Sequence, residues 1–183
     1  MNIGIDFDGV LTDFVAVALY QMLKTRSVSH KDCKSFNLWE CDFNITKKEY
    51  RNWFNNIEST PFFWANLPML CTQEDIDNIN KVSRHHSVYG ITDTPGGDAI
   101  HQRNLWLFNN GVEDVSVIPT RHKAEIILSL NIEAMLDDSP QQLSSIANRL
   151  DIKLYHPIYP YTMKCAGDGV TSITDYLTRL GVI

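Results

Sequence analysis

The stretch NIGIDFDGVLTD, residues 2–13, decides the fold class of this chain. Apolar residues alternate from Ile3 to Phe7, and the run stops at the turn signal Asp8-Gly9, so residues 2–7 are predicted to form a strand. Two carboxylates stand at the carboxyl end of this strand. Because residues two apart in a strand point to the same side, Asp6 and Asp8 can approach one ligand if the chain stays extended up to Gly9.

Strands and helices are predicted to alternate along most of the chain. Helices are expected after Thr72, running to about Arg84, after Asp98, stopping at Gly111, and after Ser139, which Pro140 follows at the first helical position. Further strands are predicted at 87–92, 114–118, 134–137 and 152–155. Such alternation implies parallel strands joined by right-handed crossovers, hence an α/β fold with a three-layer, Rossmann-like parallel sheet. Ligands of such sheets bind outside the carboxyl ends of the strands.

Residues 16–70 interrupt this alternation. The segment is rich in aromatic residues and contains no convincing buried strand. It is predicted to be a small helical cap inserted after the first strand, with residues 1–15 and 71–183 forming the catalytic α/β core. Its aromatic side chains can fill a small core of their own, and together they also suggest a role in binding.

Composition excludes several classes of function. The chain has 183 residues, with 16 Lys and Arg against 22 Asp and Glu, a formal charge of −6 that disfavours a nucleic-acid polymer as partner. No apolar run approaches the roughly 20 residues that span a bilayer, so no membrane partner is expected. The chain enters a strand at once without a signal-peptide pattern, and its four cysteines form no paired motif. We therefore expect a cytoplasmic protein with reduced thiols.

Four groups of polar residues follow predicted strands or open helices at one sheet edge: Asp6 with Asp8, Thr92, Lys123, and Asp137 with Asp138. A carboxylate held by a metal can attack phosphorus, whereas a protonated neighbour can donate to the leaving oxygen. Asp6 is the predicted nucleophile. Asp8 is the predicted acid, and the base that later activates water.

Charge balance predicts Mg²⁺ at this edge. Asp6, Asp137 and Asp138 add three negative charges to those of a phosphomonoester, and Lys123 supplies only one positive charge. Oxygen-only ligands of this kind suit Mg²⁺. The hydroxyl of Thr92 and the N–H groups of loop 93–97 are expected to bind phosphate.

Simpler interpretations stay open for single residues. Lys123 alone could be a surface lysine at a helix N-terminus, and Asp137-Asp138 could merely lead into the Ser139 cap. Arg121 is either a phosphate ligand or a surface residue. Asp13 could orient the first loop, but capping the following helix is the preferred role. No role is assigned to the ungrouped histidines His85, His86, His122 and His156.

Taken together, these motifs resemble the haloacid dehalogenase superfamily, with Asp6-Phe7-Asp8-Gly9 as motif I, Thr92 as motif II, Lys123 as motif III and Asp137-Asp138 as motif IV. Within it the chain is similar to the 5′(3′)-deoxyribonucleotidase family, through the motifs Asp6-x-Asp8-Gly9-Val10-Leu11-x-Asp13, Pro61-Phe62-Phe63 with Leu67, Thr92-x-x-Pro95 and Thr120-Arg121-x-Lys123.

The resemblance implies a Mg²⁺-dependent phosphohydrolase that acts on nucleoside monophosphates and forms a homodimer. It implies a metal bound by Asp6, the backbone carbonyl of Asp8 and one aspartate of motif IV, of which Asp138 is favoured over Asp137. The phosphate-binding set is then Thr92, Asp93, Arg121 and Lys123. Asp93 departs from the family pattern, because a small or hydroxylic residue is usual there and a carboxylate would repel phosphate.

The base-stacking residue cannot be carried over from the family. The candidates are Trp39, Phe62, Phe63 and Trp64, because stacking of a base on an aromatic ring contributes roughly 1 to 3 kcal/mol. Two alternative functions remain: a phosphatase of another small phosphorylated metabolite, and a nucleotide-binding protein of the same fold without catalysis.

Overall fold

A single parallel sheet organises the molecule. The computed structural model describes residues 1–24, 28–57, 60–93 and 98–183. Its six strands lie in the order β3-β2-β1-β4-β5-β6, and every neighbouring pair is parallel. Their bounds are β1 Asn2–Ile5, β2 Ser87–Thr92, β3 Val115–Pro119, β4 Ala134–Leu136, β5 Lys153–Pro157 and β6 Asp168–Val170. The predicted α/β fold class is confirmed.

The bounds of β3, β4 and β5 differ from the predicted ones by one or two residues, and two further strands also differ from the prediction. β1 ends at Ile5 rather than at residue 7, because the Phe7 carbonyl accepts hydrogen bonds from the N–H groups of Val10, Leu11 and Thr12 and so closes a tight loop. β6 was not predicted. It is a three-residue strand, Asp-Gly-Val, that lacks apolar alternation and depends on pairing with β5.

Helices cover both faces of the sheet. Alternating side chains of β4 show the division: Ala134 and Leu136 join the core cluster of α3, α4 and α7, whereas Met135 joins that of α5 and α6. This is the predicted three-layer arrangement. The helices are α1 Phe14–Leu23, α2 Lys47–Ile57, α3 Gln73–Ser83, α4 Ala99–Asn109, α5 Lys123–Ser129, α6 Pro140–Ala147 and α7 Ile173–Leu180.

The predicted helix caps are largely present. Thr72 and Asp75 form a capping box at α3, and Ser139 accepts a hydrogen bond from the N–H of Gln142 at α6. Asp98 precedes α4 without a side-chain capping bond. The preferred role of Asp13 is confirmed, since its carboxylate accepts from the N–H of Ala16 at the start of α1.

The segment between β1 and α3 carries α1, α2 and three short 3₁₀ turns, and its described residues contribute no strand to the sheet. Part of it forms a separate apolar cluster around Ala18, Leu19 and Leu38. Phe14 contacts four other aromatic rings, those of Trp53, Phe54, Phe63 and Trp64. The division into a cap at 16–70 and a core stays a prediction.

No helix within the described ranges has the length and apolar character that crossing a membrane requires. All four cysteines are free thiols.

Candidate active site

Three carboxylates meet where the two central strands end. Asp6 follows β1, and Asp137 and Asp138 follow β4, the strand beside it. One oxygen of each lies within 4.8 Å of the others, and all three residues are buried. The parallel sheet therefore assembles the acidic cluster (Asp6, Asp137, Asp138), because neighbouring parallel strands end at the same edge.

Lys123, the first residue of α5, neutralises part of this cluster. Its Nζ lies 2.9 Å from Asp6 Oδ1 and 2.6 Å from Asp137 Oδ2, and its side chain is only 2% exposed. Burial alone would lower the pKa of Lys123, but the charges of Asp137 and Asp6 outweigh burial and raise it above the ordinary value. The residue is therefore a buried cation bonded to two carboxylates and not a surface lysine.

The two adjacent aspartates have different surroundings. Asp137 is fully buried, with Oδ2 bonded to Lys123 and Oδ1 accepting from the N–H of Ser139 at 2.8 Å. Asp138 instead lines a cavity, and its Oδ2 accepts a 2.6 Å hydrogen bond from the Tyr161 hydroxyl. Asp6 lines the same cavity. Among the described lining residues, Asp6 and Asp138 are thus the two members of the acidic cluster that face the cavity.

The electrostatics of these two carboxylates favour a cation. Burial raises the pKa of Asp6 to about 7; Lys123 opposes this change, and the charges of Asp137 and Asp8 add to it. Burial, together with the charges of Asp6 and Asp137, also raises the pKa of Asp138 well above its usual range. Buried carboxylates of this kind bind metal ions with release of protons.

Gly9 lets the first loop approach the acidic cluster. Its φ of +83° belongs to the left-handed region that glycine adopts readily, and a Cβ at this position would overlap the carboxylate of Asp138. Two independent constraints therefore require glycine here.

Asp8 is held by two donors and also lines the cavity. Its Oδ2 pairs with the guanidinium of Arg103, and its Oδ1 accepts a 2.8 Å hydrogen bond from Thr12 Oγ1. Arg103, fully buried on α4, lies over the rings of Phe7 and Trp64 at 4.9 and 4.7 Å. These contacts fix the position of the Asp8 carboxylate beside that of Asp6.

Sequence reasoning missed Arg103. A signal was present, because Arg103 shares the buried face of α4 with Ala99, Trp106 and Leu107. A guanidinium on such a face needs a buried carboxylate partner, since leaving it without one would be costly.

Next to the acidic cluster lies a cavity of about 330 Å³. The aromatic wall, as we name it, is its apolar side, formed by Phe14, Phe36, Trp39, Tyr50, Phe54, Trp64 and Tyr161. Of the four base-stacking candidates, Trp39 and Trp64 therefore line the cavity. Phe62 and Phe63 are absent from its described lining: Phe62 is exposed and Phe63 is buried in the core.

The structure brings the phosphate-binding candidates only partly together. Lys123 and Asp93 line the cavity, whereas Thr92, buried at the end of β2, is not among the described residues that do. Arg121, mostly exposed, directs its Nε to Asp93 Oδ1 at 3.2 Å. Burial raises the pKa of Asp93, and Arg121 opposes this effect. Pro95 and most of loop 93–97 lie outside the described residues.

Two further residues near the site had no sequence signal. His30, in a 3₁₀ turn of the segment before α2, lines the cavity and bonds to Asp13. Tyr161 follows β5, contacts Asp138 and packs against Phe36. Neither belongs to a motif or to a periodic pattern, so only the tertiary structure identifies them.

Comparison with solved structures gives the fold relatives. A haloacid dehalogenase-like family hydrolase from Streptococcus pneumoniae has a TM-score of 0.60 and 12% identity, covering 98% of this chain and 97% of that one. A predicted phosphoglycolate phosphatase from Haemophilus somnus has a TM-score of 0.56 and 12% identity, covering 97% and 96%. A haloacid dehalogenase-like family hydrolase from Xanthomonas campestris has a TM-score of 0.53 and 9% identity, covering 99% and 90%.

At the level of sequence, no protein-family model and no curated protein matches the chain. The structural likeness extends over nearly the whole of both partners in each comparison. This chain therefore has the fold of the haloacid dehalogenase-like hydrolases.

Proposed function

We propose that this chain is a Mg²⁺-dependent phosphohydrolase that removes phosphate from (deoxy)nucleoside monophosphates through an aspartyl-phosphate intermediate, as in the 5′(3′)-deoxyribonucleotidase family. One observation carries the proposal. The cavity has Asp6, Asp8, Lys123 and Asp138 at one end and the aromatic wall beside them. Such a cavity suits a molecule with a phosphate at one end and a flat ring at the other.

The donor set fits a hard divalent cation. Asp6 and Asp138 supply carboxylate oxygens that face the cavity, and the main-chain carbonyl of Asp8 is the third ligand that the family resemblance implies. Burial raises the pKa of both carboxyl groups, and a bound cation would favour their ionised forms. Mg²⁺ bound here would supply charge neutralisation for the phosphate and orient it toward Asp6.

Asp6 and Asp8 can divide the chemistry between them. A carboxylate oxygen of Asp6 attacks phosphorus, and the bond from phosphorus to the alcohol oxygen breaks as protonated Asp8 gives that oxygen its proton. Once it has given up this proton, Asp8 is a carboxylate, and Arg103 and Thr12 hold it in place. In the second half, Asp8 takes a proton from water, which attacks the phosphorus and releases phosphate and free Asp6.

Two alternatives rest on the same site. The solved structures include a predicted phosphoglycolate phosphatase, so another small phosphorylated metabolite is the second candidate substrate. The aromatic wall favours a nucleotide, because a small aliphatic acid would leave most of its rings unused. The other alternative is a nucleotide-binding protein of this fold without turnover, against which the paired Asp6 and Asp8 argue.

The test is phosphate release from a panel of deoxy- and ribonucleoside monophosphates, sugar phosphates, phosphoglycolate and phenyl phosphate, with Mg²⁺ or with EDTA. We expect turnover of nucleotides that requires Mg²⁺. Turnover of sugar phosphates or phosphoglycolate alone would refute the nucleotide assignment but keep the phosphatase. Nucleotide binding without any turnover would refute the enzyme.

Replacing Trp39 with alanine should weaken nucleotide binding. Trp39 lines the cavity and packs against Tyr50 with ring centroids 5.2 Å apart, so it is placed to stack on a base. The KM for the preferred nucleotide should rise about 5- to 150-fold, the equivalent of one aromatic–base stack. Steady-state kinetics measures this. Phe108→Ala, which removes an aromatic ring that is 80% exposed on α4, is the matched control and should leave KM unchanged. An unchanged KM in Trp39→Ala would exclude Trp39 as the stacking residue.

Stabilisation by Mg²⁺ should increase with pH. The pKa of Asp6 is about 7 in the metal-free fold, against about 4 in an unfolded chain. Between these pH values the native state keeps a proton on Asp6 that the unfolded chain has lost. The free energy of unfolding of the metal-free protein therefore falls as the pH rises from about 4 to about 7. Mg²⁺ replaces the proton. The rise in Tm on adding Mg²⁺ should therefore be several degrees at about pH 8 and much smaller at about pH 5.

Thermal unfolding of wild type and Asp138→Asn checks this second prediction. The variant should lose the Mg²⁺ effect at both pH values, because it lacks one of the two cavity-facing carboxylates. An equal shift in both proteins would place the cation elsewhere.

A further inference from the structure

His30 is the one histidine in the described lining of the cavity, and a neighbouring carboxylate fixes its orientation. Its Nδ1 lies 2.9 Å from Asp13 Oδ1, and the same oxygen accepts the N–H of Ala16 as the cap of α1. Asp13 is itself buried. An ionised carboxylate only accepts hydrogen bonds, so this contact selects the ring tautomer with the proton on Nδ1, and in that neutral tautomer Nε2 is an acceptor.

Two further contacts hold the ring in place. It stacks on Tyr159, with ring centroids 5.8 Å apart and planes 28° apart. The hydroxyl of Tyr159 in turn donates to the main-chain oxygen of Gly9 at 2.9 Å, which ties His30 to the loop that carries Asp6 and Asp8. The imidazole is therefore positioned relative to the catalytic carboxylates before any ligand binds.

The second ring nitrogen is the part that these contacts leave unused. Residue His30 is only 3% exposed, and within the described part of the chain its Nε2 makes no hydrogen bond. Because His30 forms part of the cavity wall, a ligand in the cavity can bond to this nitrogen.

We propose that His30 is a specificity-determining residue whose Nε2 accepts a hydrogen bond from an O–H or N–H group on the alcohol half of the phosphomonoester. The inference rests on the proposed function and extends it to a residue outside the motifs. It assigns Asp13 a positioning role besides helix capping, because the carboxylate selects the ring tautomer that leaves Nε2 free to accept.

A pair of amide variants separates this role from a structural one. In His30→Asn the amide nitrogen is as many bonds from Cα as Nδ1, so it can keep the contact with Asp13 but cannot reach as far as Nε2. In His30→Gln the amide is as far from Cα as Nε2, so it can still meet the ligand while the contact with Asp13 is lost. His30→Asn therefore preserves only the contact with Asp13, and His30→Gln preserves only the contact with the ligand.

The measurement is kcat and KM for the preferred substrate and for phenyl phosphate, whose alcohol half has no O–H or N–H group. We expect His30→Asn to raise KM for the preferred substrate about tenfold, with kcat and the KM for phenyl phosphate unchanged. His30→Gln should restore part of that affinity while unfolding at a lower temperature. The reverse order, with His30→Asn like wild type and His30→Gln impaired on both substrates equally, would overturn the proposal and leave His30 a structural residue.

The substrate panel identifies the donor and keeps the two proposals distinguishable. If a sugar hydroxyl is the donor, a dideoxynucleoside monophosphate will bind wild type and His30→Asn equally; if a base N–H is the donor, the tenfold difference will persist. Should wild type prefer a substrate other than a nucleotide, the nucleotide assignment fails, and the same comparison on that substrate still decides the role of His30. Absence of all turnover would overturn both proposals.

Discussion

Replacing Asp6 with asparagine should reduce phosphate release by about 10⁴-fold or more, the largest loss expected of any single change in this chain. The amide is nearly the same size as the carboxylate, and its oxygen can still accept the 2.8 Å hydrogen bond from the N–H of Phe7. The fold should therefore survive. What is lost is the nucleophile, because an amide oxygen next to phosphorus cannot form a stable acyl phosphate.

A second variant distinguishes covalent catalysis from direct attack by water. Asp8→Asn should still let Asp6 attack a nitrophenyl phosphate, whose leaving group needs little protonation, but it cannot activate the water of the second half. We expect a rapid burst of about one equivalent of nitrophenol per enzyme, followed by slow turnover. Asp6→Asn should show no burst.

Asp77→Asn is the matched control for these variants, because Asp77 is an exposed aspartate on α3 that accepts a hydrogen bond from Gln73 and does not line the cavity in the part of the chain that the structure describes. It should behave like wild type. Substantial turnover by a folded Asp6→Asn protein, without a burst in Asp8→Asn, would contradict the aspartyl-phosphate mechanism.

The part of the site that the sequence predicts is the part that sheet topology controls. Apolar runs with clear turn signals locate β1 and β4, and parallel strands must end at one edge, so the meeting of Asp6 with Asp137 and Asp138 follows without knowledge of side-chain packing. Lys123 is predicted at the same edge from the order of the elements, and it supplies one positive charge there. Its burial between Asp6 and Asp137 explains how a lysine is tolerated at a helix N-terminus, where the helix dipole disfavours a cation.

Contacts that depend on packing between distant segments were not predictable. Phe62, Phe63 and Trp64 are consecutive aromatic residues, yet only Trp64 lines the cavity, because the direction of each ring depends on how the segment turns back onto α4. His30 and Asp13 are 17 residues apart in a segment without periodicity. β6 is too short and polar to show a strand pattern. Residue types and spacing alone do not determine such contacts.

Replacing Lys123 with methionine should destabilise the metal-free protein by about 3 to 5 kcal/mol at about pH 8, besides removing activity. Methionine fills much of the same volume, so the loss comes from charge rather than from a cavity. Without Nζ, the buried carboxylates of Asp6 and Asp137 lose the cation that lies 2.9 and 2.6 Å from them. Within the described residues, no other cation forms an ion pair with the acidic cluster. The repulsion among Asp6, Asp137 and Asp138 is then unopposed.

The pH dependence of this loss identifies its cause. With Lys123 absent, the pKa of Asp6 should rise above its already raised value of about 7, because Lys123 is the group that opposes the rise. Near pH 5 Asp6 holds a proton in both proteins, whereas above about pH 7 wild-type Asp6 ionises and the Asp6 of the variant still resists ionisation. The difference in unfolding free energy between wild type and variant should therefore be smallest at acid pH and widen as the pH rises above about 7.

Urea unfolding of both proteins in EDTA at several pH values measures this difference. Lys34→Met is the matched control, since Lys34 pairs with Asp42 at 2.7 Å but both side chains are largely exposed, and we expect no measurable change at any pH. A Lys123→Met protein that matches wild type in stability across the whole range would show that the acidic cluster does not depend on this cation. A loss that is independent of pH would assign the effect to packing instead of charge.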